Sequence, residues 1–244
     1  MTSRATLAPW IWASLLWLVT GGGAAAPVVR AAHDDWRDVT CGNGHYRYIL
    51  FSPMRHAPVP AIVLLHGAGG EPRSMVDAWK DLAGREGVAL IAPVLPMAAA
   101  FEAVAPPVFR CMVEDAGRSV ALDPRRIYVF GHSMGGYLAY DAAMLQSRYF
   151  AAVAVHAMGI APDWDWIVDS AARRTPVAIY IGDRDPLVGL ENVRRTRDLL
   201  LARRFPVHYV ELPNHDHDYW ALSGTINADA WDFLKRQSLP ERLH

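Results

Sequence analysis

Neither sign of charge is in excess in this sequence: 24 basic and 25 acidic side chains leave a formal net charge of −1. So neutral a chain lacks the cationic surplus that nucleic-acid binders set against phosphate, and no nucleic-acid partner is expected. Cysteine is scarce. Two in 244 residues exclude a small disulfide framework and any four-cysteine zinc module. Glycine (18) and proline (17) are near ordinary usage, which excludes collagen-like or linker-dominated architecture. Repeats, low-complexity tracts and interior linkers are missing beyond residue 32, so that region reads as one domain. What is present is apolar bulk. Hydrophobic residues make up 52% and charged residues 20%, a mix that buries a full core.

The first 31 residues differ from the rest. Arg4 is the only charge before Arg30, and the apolar run Pro9 to Val19 is about 11 residues long. A bilayer-spanning helix needs roughly 20. A short positive start, an apolar middle and the small residues Gly21 to Ala26 form a secretory signal peptide over 1–31, cleaved between about 25 and 31. The alternative is an uncleaved anchor. After processing, no stable membrane span is expected, and the product is periplasmic or extracellular. In an oxidising compartment Cys41 and Cys111 are expected to pair, the alternative being two buried thiols.

Along 32–244, short apolar β-branched runs alternate with helical patterns. Strands are expected at Tyr46–Phe51, Ala61–Leu65, Val88–Val94, Ile127–Phe130, Ala151–Val155, Val177–Ile181 and Val207–Leu212. Helices are expected from a Ser74 cap to Arg85, then over Pro107–Val120, Met134–Gln146, Leu190–Arg203 and Asn227–Arg236, with a turn at Asp123-Pro124. Continuously apolar strands alternating with helices imply an α/β fold: a mainly parallel, doubly wound sheet with helices on both faces. Ligands in such sheets bind at the carboxyl ends of the strands.

Four strand ends carry chemistry. Gly131-His132-Ser133-Met134-Gly135 follows one strand and opens a helix. A strand–turn–helix with G-x-S-x-G holds a serine on a sharp elbow, and the helix start, with the Met134 N–H, favours a developing oxyanion. His66-Gly67-Ala68-Gly69-Gly70 follows another strand; Ala68 is the candidate second oxyanion donor, and His66 a structural hydrogen-bonder rather than a base. Gly182-Asp183-Arg184-Asp185-Pro186 offers a carboxylate to orient a catalytic imidazole. Asp185, further out on the loop, is favoured over Asp183. Asn214-His215-Asp216-His217-Asp218 offers His217 or His215 as the base. The His-x-His pattern with flanking aspartates is also compatible with a metal site, a reading that leaves Ser133 unexplained. His33, His45, His56, His156, His208 and His244 carry no motif, and Arg194, Arg195, Arg197, Arg203 and Arg204 read as a solvated face.

The order serine, aspartate, histidine and the segments LLHGAGG, DPRRIYVFGHSMGGYLA and GDRDPLV resemble the α/β-hydrolase superfamily, in particular its small single-domain secreted esterases. They look like polyhydroxybutyrate depolymerases and feruloyl esterases. The segment HDHDYW is similar to one in S-formylglutathione hydrolases in which the histidine after the aspartate is catalytic, which implies His217 over His215. The resemblance implies an α/β-hydrolase fold without a large lid and an ester hydrolase using Ser133, His217 and Asp185 through an acyl-enzyme, with Ala68 and Met134 as oxyanion donors. No metal or organic cofactor is required. The substrate is a small-molecule or polymer-linked ester. Tyr137, Trp164, Trp166 and Trp220 are candidates for an aromatic wall, or for ordinary packing. A serine peptidase of the same fold and a non-catalytic binding protein are the alternatives. Oligomeric state is left open.

Overall fold

The computed structural model describes residue 1 and residues 32–53, 57–96 and 106–241. The signal peptide expected over 1–31 therefore falls, but for its first residue, outside the described residues, as do His56 and His244. In chain order the elements are β1 (His33–Cys41), β2 (Gly44–Ser52), β3 (Val59–Leu65), α1 (Pro72–Glu86), β4 (Ala89–Pro93), α2 (Pro107–Ala116) and β5 (Leu122–His132). They continue with α3 (Met134–Leu145), β6 (Ala152–His156), a 3₁₀ turn (Pro162–Trp164), α4 (Trp166–Ser170), β7 (Val177–Gly182), α5 (Leu190–Ala202), β8 (Val207–Leu212) and α6 (Tyr219–Leu234).

Among the described residues the strands form one eight-stranded sheet in the order β1-β2-β4-β3-β5-β6-β7-β8. The β1–β2 and β2–β4 pairs are antiparallel, and the rest are parallel. Period-two alternation divides the core. Ile62 and Leu64 face α1 and α6 with Trp79, Tyr219 and Trp231, while Ala61, Val63 and Leu65 face Phe109, Leu138, Ile167 and Val193 of α2 to α5. Both faces are thus covered, which is why the central strands are apolar throughout.

Several boundaries differ from expectation. β1 was not anticipated: before the buried Cys41 its residues are a mixture of exposed and half-buried ones along the sheet edge, so no continuous apolar run marks it. α1 begins at Pro72, whose fixed φ suits the first helical turn. Ser74 does not cap it; its hydroxyl donates to Glu71 O at 2.7 Å. α2 stops at Ala116, before Gly117 rather than at Val120. Asp123-Pro124 lies in the irregular start of β5, where the register against β3 shifts and Asp123 Oδ1 accepts the Arg125 N–H. α6 starts at Tyr219, two turns ahead of Asn227, because the Asp218 carboxylate accepts the Trp220 N–H and caps it. Cys41 and Cys111 are bonded, their Cα atoms 5.9 Å apart, tying the end of β1 to α2.

Candidate active site

β5 runs straight into a single non-helical residue, Ser133, and then into α3. Ser133 has φ 53° and ψ −125°, a left-handed conformation that costs a non-glycine residue free energy. The fold holds it there from both sides: its N–H donates to His156 O at 2.9 Å, and its C=O accepts the Gly136 N–H at 2.7 Å. The flanking glycines are sterically required. A Cβ on Gly131 would lie 2.2 Å from Gly135 O, and one on Gly135 would lie 2.2 Å from Leu65 O. The hydroxyl consequently stands above the carboxyl end of the sheet.

Asp185 and His217 arrive from the loops after β7 and β8. His217 Nε2 lies 2.9 Å from Ser133 Oγ, and His217 Nδ1 lies 2.8 Å from Asp185 Oδ2. The Asp185 side chain is fully buried. Its other oxygen accepts the Leu187 and Val188 N–H groups at 2.9 and 2.8 Å, so the carboxylate is fixed at both ends. The sequence offered two aspartates and two histidines, with Asp185 and His217 favoured. Asp183 contributes a backbone N–H to Leu212 O, and His215 turns into the buried interior beside His156. Because His215 and His217 point to different places, the His-x-His segment does not converge. Among the described residues no group of three or more His, Cys, Asp or Glu side chains is placed to hold a metal ion.

The loop after β3 lies against the serine, with Gly67 so close that a Cβ there would sit 3.2 Å from Ser133 Cβ. His66 pins this loop. Its Nε2 accepts the Leu95 N–H at 3.2 Å, which leaves the ring proton on Nδ1 to donate to Gly67 O at 2.8 Å. Gly67 O also accepts the Gly70 N–H at 3.0 Å. Since the peptide is planar, fixing Gly67 O fixes the direction of the Ala68 N–H on the other side of the bond. Burial holds the His66 ring below the usual histidine range, in keeping with its neutral role.

A family model described as the alpha/beta hydrolase family matches residues 62–239. The chain belongs to the alpha/beta hydrolase family. No curated protein matches it in sequence. Among solved structures, it is similar to a thermostable esterase, with 20% identity and a TM-score of 0.69, covering 84% of this chain and 63% of that one. This chain therefore spans somewhat under two thirds of that esterase. It is also similar to S-formylglutathione hydrolase (FrmB) from Staphylococcus aureus, at 17% identity and TM-score 0.67, covering 84% and 98% of the two chains. A third is esterase 2 of Thermogutta terrifontis, phosphorylated by paraoxon, at 18% identity and TM-score 0.69, covering 83% and 94%. At these identities the likeness is one of fold.

In this α/β hydrolase the four candidate aromatics do not stack as one group among the described residues. Tyr137 and Trp164 stack on each other at 3.5 Å, with Trp164 buried. Trp220 lines a cleft of about 370 Å³ together with His132, Pro186, Asp216, His217, Asp218 and Tyr219. Trp166 stands exposed on α4 and makes no ring contact with the other three among the described residues. The arginines of α5 are not simply solvated. Arg195 grips Asp165 with two bonds and also donates to Ile160 O, which holds the segment after β6 in place, and Arg194 pairs with Glu211.

Two buried residues beside Ser133 and His217 were given no role by the sequence, His156 being read as carrying no motif. His132 and His156 end adjacent parallel strands at the same register, and their Nδ1 atoms are 2.9 Å apart. Burial, together with the neighbouring His217, pushes His132 down to about 4; burial, together with His132, pushes His156 down to about 2. The available signal was positional: each histidine stands at the end of an apolar strand, on the edge where the chemistry lies.

Proposed function

We propose that this α/β hydrolase is an exported serine hydrolase that cleaves carboxylic esters through a Ser133–His217–Asp185 triad and an acyl-enzyme. The observation that carries this reading is His217 bridging the other two residues, 2.9 Å from Ser133 Oγ and 2.8 Å from Asp185 Oδ2. The Ser133 O–H donates to Nε2, and the Nδ1–H donates to the buried carboxylate, which sets the tautomer a general base needs. As Ser133 Oγ attacks the ester carbonyl, its proton passes to Nε2 and the carbonyl oxygen gains negative charge. The N–H groups of Met134, at the start of α3, and of Ala68 are assigned to that oxygen. Collapse of the tetrahedral species expels the alcohol, which takes the proton from His217. Water then repeats the sequence on the acyl-enzyme and frees the acid. Every step is served by side chains and amides of this chain.

The cleft beside His217 offers one indole and an open mouth, which suits a small ester or the exposed ester of a larger molecule. Export rests on the N-terminal pattern and on the Cys41–Cys111 bond, which persists in oxidising compartments. The test is turnover of p-nitrophenyl acetate and butyrate by the mature protein, set against aminoacyl anilides. Ester turnover that vanishes in Ser133→Ala supports the reading. Preference for anilides would make it a peptidase, and no turnover of either would leave a binding protein on a hydrolase scaffold. Paraoxon supplies an independent check: intact mass should rise by one diethylphosphoryl group in the unsubstituted protein and not in Ser133→Ala.

A further inference from the structure

His132 and His156 end neighbouring strands at paired positions, so the sheet register sets their rings side by side. Both are buried. The 2.9 Å between their Nδ1 atoms admits one proton: two would repel, and none would set two lone pairs head-on. His156 Nε2 is buried with no hydrogen-bond partner among the described residues. An orphaned buried N–H is rarer than an unpaired acceptor, so the ring proton of His156 belongs on Nδ1, donating to His132 Nδ1. His132 then carries its own proton on Nε2.

The pair has a fixed back wall. His132 stacks on Tyr219 at 5.4 Å, the Tyr219 hydroxyl donates to Asn227 Oδ1 at 2.6 Å, and Asn227 Nδ2 donates to Ala78 O of α1 at 2.9 Å. On its other side His132 meets His217, with ring centroids 5.1 Å apart. The general base of the triad therefore lies against an aromatic ring that is anchored through two separate chains of contact.

We propose that His132, tied by a shared proton to His156, is a positioning residue for His217: an uncharged platform that holds the base between Ser133 and Asp185 as it gains and loses its proton. This rests on the triad reading of the site. Neutrality is part of the device, because a charge on His132 would oppose the imidazolium that forms on His217 during turnover. The charged or titratable groups facing the pair are His217, His215, Asp185, Asp218 and Tyr219. Burial keeps both rings well below the ordinary histidine range.

The first test needs no substitution. In the unsubstituted protein labelled with ¹⁵N at histidine, a scalar coupling between the Nδ1 atoms of His132 and His156 and neutral ring shifts for both are expected at pH 7. Absence of that coupling, or a charged ring in the pair, overturns the proposal. The second test is kinetic. His132→Phe keeps the ring packing and removes the acceptor; His156→Phe removes the donor. Each should lower kcat on p-nitrophenyl acetate by about ten- to a hundredfold, as small misplacements of a catalytic group do, with KM unchanged within about twofold. The double variant should be no slower than the slower single one, because both break the same bond. The low-field proton between His217 and Asp185 should move in each variant. Unaltered kcat, losses that multiply, or an unmoved low-field proton overturn the proposal, and should a variant fail to fold the coupling still decides. Turnover retained in Ser133→Ala would instead sink the proposed function, and this proposal with it.

Discussion

A serine hydroxyl is a weak nucleophile until a base stands beside it. The individual side chains of the site therefore carry the sharpest expectations. Ser133→Ala should lower kcat by on the order of 10⁴-fold or more, and Asp185→Asn by about 10⁴-fold, since the amide cannot enforce the same tautomer. His217→Ala should abolish turnover. His215→Ala, whose ring points into the interior, should retain most of it, and the reverse result would exchange their roles. The buried His132 and His156 also make acid stability testable. Their folded pKa values lie below the ordinary 6.5, at about 4 and about 2. The unfolded chain thus binds protons that the native one refuses. Their contribution is fully present above pH 6.5 and is lost as pH falls from there toward 4 and below. Thermal melts from pH 7 to pH 4 should show a steeper fall in Tm for the unsubstituted protein than for the His132→Phe, His156→Phe double variant. Ser133 was legible because its motif has a mechanical context. Asp185 could be favoured over Asp183 by its place further out on the loop, but His217 over His215 only through a family resemblance, since adjacent candidates on a loop differ in direction, which spacing does not encode. His132 and His156 were hidden because their partnership is created by strand pairing between distant segments.

Strands and helices are positioned here by close approach as much as by burial. The elbow brings α3 so near β3 that a Cβ on Gly135 would meet Leu65 O at 2.2 Å. Backbone on both sides cannot yield as a flexible side chain would. Gly135→Ala should cost roughly 3 kcal/mol, a Tm lower by about 6–12 °C for a chain of this size, and should also remove turnover by displacing Ser133. A melt and an ester assay on the same sample check both. The buried parallel strands were legible because they are apolar on both faces. β1 was not, because an edge strand shows solvent one face and one margin. The first two turns of α6 were missed for a related reason. Tyr219, Trp220 and Leu222 are followed by Ser223 and Gly224, weak helix formers that tertiary packing overrides.

At the scale of the whole molecule, the Cys41–Cys111 bond closes a loop of 70 residues. In the chain-entropy model such a closure stabilises the fold by roughly 4 kcal/mol. Reduction should accordingly lower Tm by about 8–16 °C, measurable by calorimetry with and without dithiothreitol. A melt indifferent to reductant would remove the bond from the stability account. The α/β class was readable from alternation, because buried strands with intervening helices build a mainly parallel sheet covered by helices. The strand order was not, since crossovers are decided by which faces meet in three dimensions. No helix among the described residues is long and apolar enough to cross a membrane.

The imidazole that bridges serine and carboxylate hangs from the loop after β8, which among the described residues is the outermost strand on its side of the sheet. If the centre of the sheet forms before that margin docks, the nucleophile there has nothing to take its proton. Ester cleavage should then be the slowest signal to return after dilution from denaturant, trailing far-ultraviolet circular dichroism, so that turnover acts as a clock for the final stitch of the sheet.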